Sequence, residues 1–380
     1  MEFSNTKEII DRSIKTHTEN GAAFVLTRDG KQVYSYSAGL ADVENNVGFT
    51  EKTVCRAFSL TKIVTAVACM ILMERGRLDT GWELGWLIPE FSGAKYISGG
   101  KTVESPAIRI RDLLNMTSGI AYPGAPFEGA EEINSVWGRL EQRIRGGNSM
   151  TTQQFAAEAG KAALAFPAGR EGMYGSSADI LGAVIEKAAD TEFSEFLAQN
   201  IFRPLGMDDT AFYVPPEKRD RLAVLYECAG EHPRKPDWVN LCIFDYDKKP
   251  AFQSGGAGLF STADDYSKLG AALSNGGGGI ISARAIDFMR ENGLSGEQKK
   301  TFNWDAARGF GYGNLVRCLT DRNEAGLFAT KGSFGWDGWT GTYLLCDPAE
   351  KLSVTVFIQR CGAGTTQLSR DIVNSVYAAI

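Results

Sequence analysis

Histidine is the scarcest of the residues that usually activate a nucleophile. The 380-residue sequence contains only two, His17 and His232. Neither lies beside a serine or cysteine motif, and we expect both at the surface. A Ser-His-Asp or Cys-His enzyme and a histidine-ligated metal site are therefore disfavoured. Any nucleophile in this chain must be activated by something other than imidazole.

A cysteine framework is also missing. The seven cysteines are odd in number and scattered, and none has C-x-x-C spacing. This pattern indicates neither a set of disulfides nor a zinc site. We predict reduced thiols in the core, no metal and no cofactor.

Long apolar runs and long basic runs are absent as well. No stretch approaches 18 consecutive apolar residues, and the first 17 residues carry charges throughout. The net charge is −6 with both signs interspersed. We therefore expect a cytoplasmic protein with no membrane and no nucleic-acid partner. Its composition, 43% hydrophobic and 23% charged, can fill the core of one large domain or two intertwined ones.

Residues 56–73 carry the strongest chemical signal. Apolar residues recur there at three- and four-residue steps, which predicts a largely buried helix. Ser59 and Lys62 share one face of its first turn, so a hydroxyl lies beside an amine that can act as its base. Alternatively, Ser59 is only the helix N-cap, and S-x-x-K alone is a weak motif. The helix N-terminus disfavours a cation, however, so Lys62 needs another explanation.

Tyr174 is the second candidate. It precedes a predicted helix at 177–188, where its ring can face inward. The alternative is an aromatic that only packs at the helix boundary. A phenol near a lysine can transfer protons, which keeps Tyr174 among the candidates.

Strand patterns occur at both ends of the chain. A helix at 5–19 and a hairpin within 22–37 begin it; strands within 309–316, 329–348 and 351–360 and a helix at 367–379 end it. This predicts one antiparallel sheet, built from residues 1–58 and 254–380, with a mainly helical insertion at 59–253. The mixed, glycine-containing segment 121–150 is interpreted as a surface excursion that shapes a pocket mouth.

Several motifs, in order, resemble one known family. Ser59-Leu60-Thr61-Lys62 and Tyr174-Gly175-Ser176 occur with DLLNMTSGI, a PLGM run, GAGLFSTADDYSKL and WDGWTGTYLLCDP. Together they resemble the serine β-lactamase and penicillin-binding-protein superfamily, in the class C-related branch that includes family VIII carboxylesterases. The resemblance implies an α/β (α+β) β-lactamase/transpeptidase-like fold, with a central antiparallel sheet flanked by helices and the active site between the two domains.

The resemblance also implies roles for individual residues. Ser59 would attack an ester carbonyl, and Lys62, alone or paired with Tyr174, would take its proton. Tyr174 would then protonate the leaving alcohol. The backbone N–H groups of Ser59 and Trp339 would form the oxyanion hole, and Ser176 would contact the substrate.

The third motif departs from the β-lactamase pattern. Trp336-Asp337-Gly338 stands where β-lactamases have K-T-G. Asp337 would disfavour a substrate carboxylate unless a cation compensates it. The cations considered for this are Lys331, Arg308 and Arg360.

The other members of this motif are interpreted as substrate contacts. Trp336 and Trp339 would form walls of the pocket, or alternatively only pack in the core. Gly338 would let the substrate lie close to the backbone.

A serine esterase for small or medium acyl groups is therefore predicted, acting on a small-molecule ester. The alternatives are an acyltransferase with an alcohol or amine acceptor, and a D-amino-acid peptidase or amidase in which Asp337 meets a substrate ammonium. A weak β-lactamase side reaction is a further alternative. A non-catalytic scaffold is disfavoured, because it has no need for Ser59, Lys62 and Tyr174 together. The sequence does not indicate the oligomeric state.

Overall fold

An eight-stranded antiparallel sheet forms the centre of the protein. The computed structural model describes residues 3–302 and 304–380. The strands are β1 (Gly21–Arg28), β2 (Lys31–Asp42), β3 (Val47–Gly48), β4 (Cys55–Arg56), β5 (Lys95–Ser98), β6 (Lys101–Glu104), β7 (Phe260–Ser261), β8 (Phe310–Gly313), β9 (Val316–Leu319), β10 (Phe334–Asp337), β11 (Tyr343–Asp347) and β12 (Leu352–Phe357). The sheet order is β3-β2-β1-β12-β11-β10-β9-β8, and β4–β7 and β5–β6 form two separate pairs. Strands from both ends of the chain therefore meet where β1 pairs with β12.

Helices lie on both sides of the sheet and fill the middle of the chain. They are α1 (Ser4–Lys15), α2 (Thr61–Glu74), α3 (Leu84–Leu87), α4 (Ile110–Leu114), α5 (Ala130–Arg145), α6 (Thr152–Ala159), α7 (Ser177–Ala189), α8 (Phe193–Leu197), α9 (Arg203–Leu205), α10 (Ala263–Ser274), α11 (Ala283–Met289), α12 (Gly296–Thr301), α13 (Arg322–Ala325) and α14 (Gln367–Ala379). Among the described residues, no helix has both the length and the apolar character needed to cross a membrane.

Both faces of the central strands are buried. In β1, Phe24 belongs to the apolar cluster that contains Ile372 of α14, whereas Val25 belongs to the cluster that contains α2. On that second face, Tyr266 of α10 contacts Phe357 of β12 with ring centroids 5.5 Å apart. Helices covering both faces explain why the apolar run in β1 is continuous and does not alternate.

Helix α2 is the most enclosed helix near the site. Every residue from 61 to 72 is buried. The glycine-rich loop before β7 runs along its first turn, where Thr65 Oγ1 donates to the Gly255 carbonyl at 2.7 Å. A side chain at position 255 would lie 2.2 Å from the carbonyl oxygen of Ala178 in α7. Glycine is therefore required there because the loop is wedged between α2 and α7.

The interpretation of residues 121–150 as a surface excursion missed a regular helix in this segment. The segment contains α5, a 16-residue helix whose Ile133, Val136, Trp137 and Leu140 are buried. These residues follow the three- and four-residue spacing of a helix face. Glycines on both sides of the helix obscured a pattern that the sequence contains.

Two smaller expectations also need correction. Helix α1 ends at Lys15, so His17 lies beyond it, in a left-handed conformation with φ of 52°. His17 and His232 are both exposed, as predicted. Five cysteines are buried, but Cys228 is exposed and Cys361 is half-buried.

Candidate active site

Ser59 lies where β4 leads into α2. A short 3-10 turn, Phe58–Leu60, joins the two, and Phe58 has a positive φ of 44°. From residue 53 to 72, Ser59 is the only residue that is not buried. The N-cap of α2 is Leu60, and no side chain caps this helix. The Ser59 hydroxyl is thus not used as a cap and faces the solvent-accessible side of the turn.

Lys62 points its amine at this hydroxyl. Its Nζ lies 3.2 Å from Ser59 Oγ, 3.1 Å from the Tyr122 hydroxyl and 2.7 Å from the Gly256 carbonyl oxygen. The side chain is fully buried. Among the described residues, Lys62 forms no ion pair with a carboxylate. Burial lowers the pKa of Lys62 to about 7, although the more distant Asp179 and Asp337 act in the opposite direction.

Tyr174 lies beside both Ser59 and Lys62. Its hydroxyl accepts a hydrogen bond from Trp336 Nε1 at 3.1 Å, and Lys62 Nζ lies 4.6 Å from the centre of its ring. Burial raises the pKa of Tyr174 above its ordinary value, while hydrogen bonds with Ser59 and Trp336 partly oppose this. The phenol is therefore neutral at neutral pH.

Sequence reasoning missed two further residues of this cluster, Tyr122 and Asp179. Burial raises the pKa of Tyr122 well above 10, and the nearby carboxylate of Asp179 adds to that effect. Asp179, on α7, is fully buried, and it accepts hydrogen bonds from Ser254 Oγ at 2.5 Å and from the Gly256 N–H at 3.2 Å. An acid within the apolar stretch of α7 is a signal that the sequence does contain.

The loop residue Gly256 holds this cluster together. Its carbonyl accepts from Lys62, and its N–H donates to Asp179. A side chain at position 256 would lie 2.7 Å from the Tyr122 hydroxyl and 2.8 Å from Asp179 Oδ2. Because such contacts are too close for any Cβ, only glycine lets the loop approach these groups.

The third motif forms β10 and the turn after it. Trp336 is buried, and Asp337 forms an ion pair with Arg317 Nη1 at 2.8 Å and accepts from Thr365 Oγ1. Arg317 lies on the neighbouring strand β9, opposite Gly335. The cation that compensates Asp337 is therefore Arg317.

None of the three cations considered from the sequence has that role. Lys331 is exposed, Arg308 lies 3.3 Å from Asp305, and Arg360 binds Glu19 at 2.9 Å. Sequence separation does not reveal Arg317, because its approach to Asp337 depends on the pairing of β9 with β10.

Two predicted substrate contacts lie outside the active-site cavity. Ser176 is fully buried and donates to the Ala121 carbonyl at 2.7 Å. Gly338 faces the backbone beside the nucleophile: a side chain there would lie 2.2 Å from the Ala57 carbonyl oxygen. Gly338 is itself buried, and it allows two backbone segments to approach each other.

The remaining predicted residues surround one cavity of about 420 Å³. Ser59, Tyr174, Trp336, Asp337 and Trp339 line it. It is also lined by Phe58, Tyr122, Pro123, Asn240, Leu241, Trp304, Gly362 and Gly364. Its volume is within the range of small-molecule sites, and six of its thirteen lining residues are aromatic.

The backbone N–H groups proposed for the oxyanion hole are those of Ser59 and Trp339. Among the described residues, neither donates any of the backbone hydrogen bonds found in turns and loops. The Trp339 ring contacts Phe58, with centroids 5.1 Å apart, so the turn after β10 is packed against the turn that carries the nucleophile.

The chain matches one protein family and resembles several known enzymes. The profile of the Beta-lactamase family matches residues 7–374. Esterase EstB of Burkholderia gladioli is 28% identical, over 97% of this chain and 94% of its own length. Monacolin J acid methylbutanoyltransferase of Aspergillus terreus is 25% identical, over 81% of this chain and 77% of its own.

A solved structure shows the same fold. The structure of EstCE1, described as a hydrolase with promiscuous acyltransferase activity, superposes with a TM-score of 0.81 at 24% identity and covers 98% of both chains. The predicted superfamily and the predicted β-lactamase/transpeptidase-like fold are both confirmed.

Proposed function

The chain belongs to the beta-lactamase family, and we propose that within it the protein cleaves carboxylic esters of small or medium acyl groups through an acyl-enzyme on Ser59. It is a serine carboxylesterase of this family, with esterase and acyltransferase relatives. Its substrate is a small-molecule ester.

One observation carries the mechanism: Lys62 is buried beside Ser59 and, within residues 3–302 and 304–380, has no carboxylate partner. A lysine with a pKa of about 7 is partly a neutral amine at neutral pH. It can then accept the Ser59 proton across 3.2 Å. Tyr174 is the weaker candidate for this step, because its pKa is raised and its phenol keeps its proton.

The neighbours of Lys62 direct its lone pair. A neutral amine has two N–H groups and one lone pair. The Gly256 carbonyl can only accept, so it takes one N–H, and the Tyr122 hydroxyl accepts the other. The lone pair remains for Ser59, which is the arrangement that a general base requires.

Acylation begins with nucleophilic attack by Ser59. Ser59 Oγ bonds to the ester carbonyl carbon as its proton moves to Lys62, and the carbonyl oxygen gains negative charge. The N–H groups of Ser59 and Trp339 stabilise that oxyanion. When the C–O bond to the alcohol breaks, Tyr174 protonates the leaving oxygen and recovers a proton from the Lys62 ammonium. Water repeats the sequence on the acyl-enzyme and releases the acid.

The pairing of Asp337 with Arg317 bears on substrate choice. A D-amino-acid peptidase would need the Asp337 carboxylate free to meet a substrate ammonium. Arg317 already pairs with that carboxylate, and both Arg317 and Thr365 donate to its Oδ2. This arrangement favours an ester over a substrate with a free amino group.

An acyltransferase is the second candidate, and its support is the methylbutanoyltransferase relative. The chemistry up to the acyl-enzyme is the same. Only the acceptor differs, since an alcohol takes the place of water.

Intact-protein mass spectrometry tests the proposal. The protein is mixed briefly with p-nitrophenyl acetate, butyrate and octanoate, with Ser59→Ala as the control; a β-lactam and a D-alanyl amide are run in parallel. We expect p-nitrophenol release and a transient acyl adduct on Ser59 for the esters. Added alcohols then separate the two candidates, because a transferase forms new esters. Turnover without an adduct, or an equally active Ser59→Ala variant, would overturn the proposal.

A further inference from the structure

A second cavity adjoins the active-site cavity. Its volume is about 590 Å³, and it shares Phe58, Asn240 and Trp339 with the first. Trp339 stands between the two, with its ring against Phe58 at 5.1 Å and against Trp238 at 5.3 Å. A ligand that extends past this aromatic partition would occupy both spaces.

The second cavity has walls of two kinds. Phe58, Trp339, Trp238 and Ile243 give it an apolar side next to the nucleophile. Its charged lining residues are three cations and one carboxylate: Arg56, Arg219, Lys235 and Asp245. Such a lining suits a ligand with an apolar body and a negative charge.

The surplus positive charge belongs to Arg219. The Asp245 carboxylate is already bound by Arg56, at 2.5 and 2.8 Å, and Lys235 forms an ion pair with Glu44. Arg219 donates to two backbone carbonyls, to Val214 from Nε at 3.0 Å and to Asp245 from Nη2 at 2.7 Å. Among the described residues it has no ion-pair partner.

The two carbonyls also fix the guanidinium in place. Nε and Nη2 are used to hold it, which leaves Nη1 without a partner among the described residues. A half-buried arginine that is held by its own loop, with no counter-ion in the part of the chain that the structure describes, is well suited to bind a carboxylate.

We propose that the second cavity binds a carboxylate carried by the ester substrate, with Arg219 as its counter-ion. This inference rests on the proposed esterase function and narrows it to acidic esters with an apolar body. The carboxylate can belong to the acyl part or to the alcohol part, and the test below distinguishes the two.

Two matched pairs of esters provide the test. In the first pair the acyl group varies: the p-nitrophenyl monoester of suberic acid against its ω-methyl ester. In the second the alcohol varies: the acetate of 8-hydroxyoctanoic acid against the acetate of its methyl ester. Each pair differs by one negative charge at similar size, and kcat/KM is measured for all four.

We expect the wild-type protein to prefer the anionic member of one pair by about tenfold or more. Arg219→Gln should remove that preference and leave kcat/KM for the neutral member nearly unchanged. Arg219→Lys should keep part of it, because the charge remains. Arg203→Gln is the control, since Arg203 is an exposed arginine that pairs with Glu195 and lines neither cavity.

Failure of this inference is distinguishable from failure of the esterase proposal. No preference for the anion in either pair, while the neutral esters are hydrolysed, would overturn the carboxylate site alone. Equal losses on anionic and neutral esters in Arg219→Gln would also overturn it, since they would assign Arg219 a purely structural role. No hydrolysis of any of the four esters by the wild-type protein would count against the proposed function itself.

Discussion

Two buried cations, Arg317 and Lys62, each contact a residue that lines the active-site cavity, and their environments are opposite. Arg317 is buried, faces the Asp337 carboxylate at 2.8 Å, and lies over the rings of Phe310, Trp336 and Tyr343. Lys62 is equally buried but faces a hydroxyl, a phenol and a carbonyl. The two environments differ chiefly in one feature: a carboxylate contacts Arg317 directly, and none contacts Lys62 among the described residues.

The difference explains why one cation is structural and the other is suited to chemistry. An arginine paired with a carboxylate remains charged and holds β9 to β10. A lysine surrounded by neutral dipoles loses much of its stabilisation as a cation, so its pKa falls to about 7. Lys62 is therefore suited to act as a base at neutral pH because no carboxylate contacts it among the described residues. Arg317, in contrast, has a counter-ion in Asp337.

Replacing Lys62 has the largest expected effect on kcat/KM. Lys62→Met should lower kcat/KM by about four orders of magnitude or more, because the nucleophile loses its base. Steady-state hydrolysis of p-nitrophenyl butyrate measures this. A loss below about tenfold would contradict the role of Lys62 as the base.

The same variant has a stability signature. The folded pKa of Lys62 lies below its unfolded value, so the unfolded chain binds more protons between about pH 7 and pH 10. Wild-type stability should gain a contribution that rises with pH across this window. Urea unfolding at several pH values should show that this contribution is absent in Lys62→Met.

The two tyrosines beside Lys62 are expected to differ. Tyr174→Phe removes the acid that protonates the leaving alcohol and should cost about 100- to 10,000-fold in kcat. Tyr122→Phe removes a hydrogen-bond acceptor of Lys62 and a hydrogen bond to Asp179, but no group that protonates the substrate, and should cost about tenfold. Equal losses in the two variants would remove the distinction between a proton donor and a positioning residue.

Parts of this arrangement can be predicted from the sequence. Ser59 and Lys62 are three residues apart on one helix, so local periodicity brings them together, and Tyr174 is found through its motif. Tyr122 lies 60 residues from Lys62 and reaches it only through tertiary packing. Arg317 meets Asp337 only through strand register, which a single sequence does not fix.

Breaking the ion pair between Arg317 and Asp337 should affect the free energy of unfolding more than catalysis. Asp337→Asn leaves Arg317 buried without a carboxylate and should lower the free energy of unfolding by about 3–5 kcal/mol. Adding Arg317→Met should restore part of the loss, because the uncompensated charge is removed. Urea unfolding of the single and double variants gives the comparison. A single variant as stable as the wild type would show that the pair contributes little.

The smallest effect is expected for the histidines. Both are exposed and neither lines the active-site cavity. The double variant His17→Ala/His232→Ala should keep kcat/KM within about twofold of the wild type, as is usual for surface substitutions. A large loss of kcat/KM would indicate that a histidine takes part in the mechanism.

The pH dependence of kcat/KM in three proteins tests the central claim most directly. The wild type should show activity rising with pH through a midpoint near 7, because only neutral Lys62 accepts the Ser59 proton. The double histidine variant should show the same limb. In Asp179→Asn the midpoint should move to lower pH, because the Asp179 carboxylate raises the pKa of Lys62. Lys62 would be contradicted as the base if the rise in activity with pH were lost in the double histidine variant. It would also be contradicted if the midpoint did not move, or the rise were lost, in Asp179→Asn.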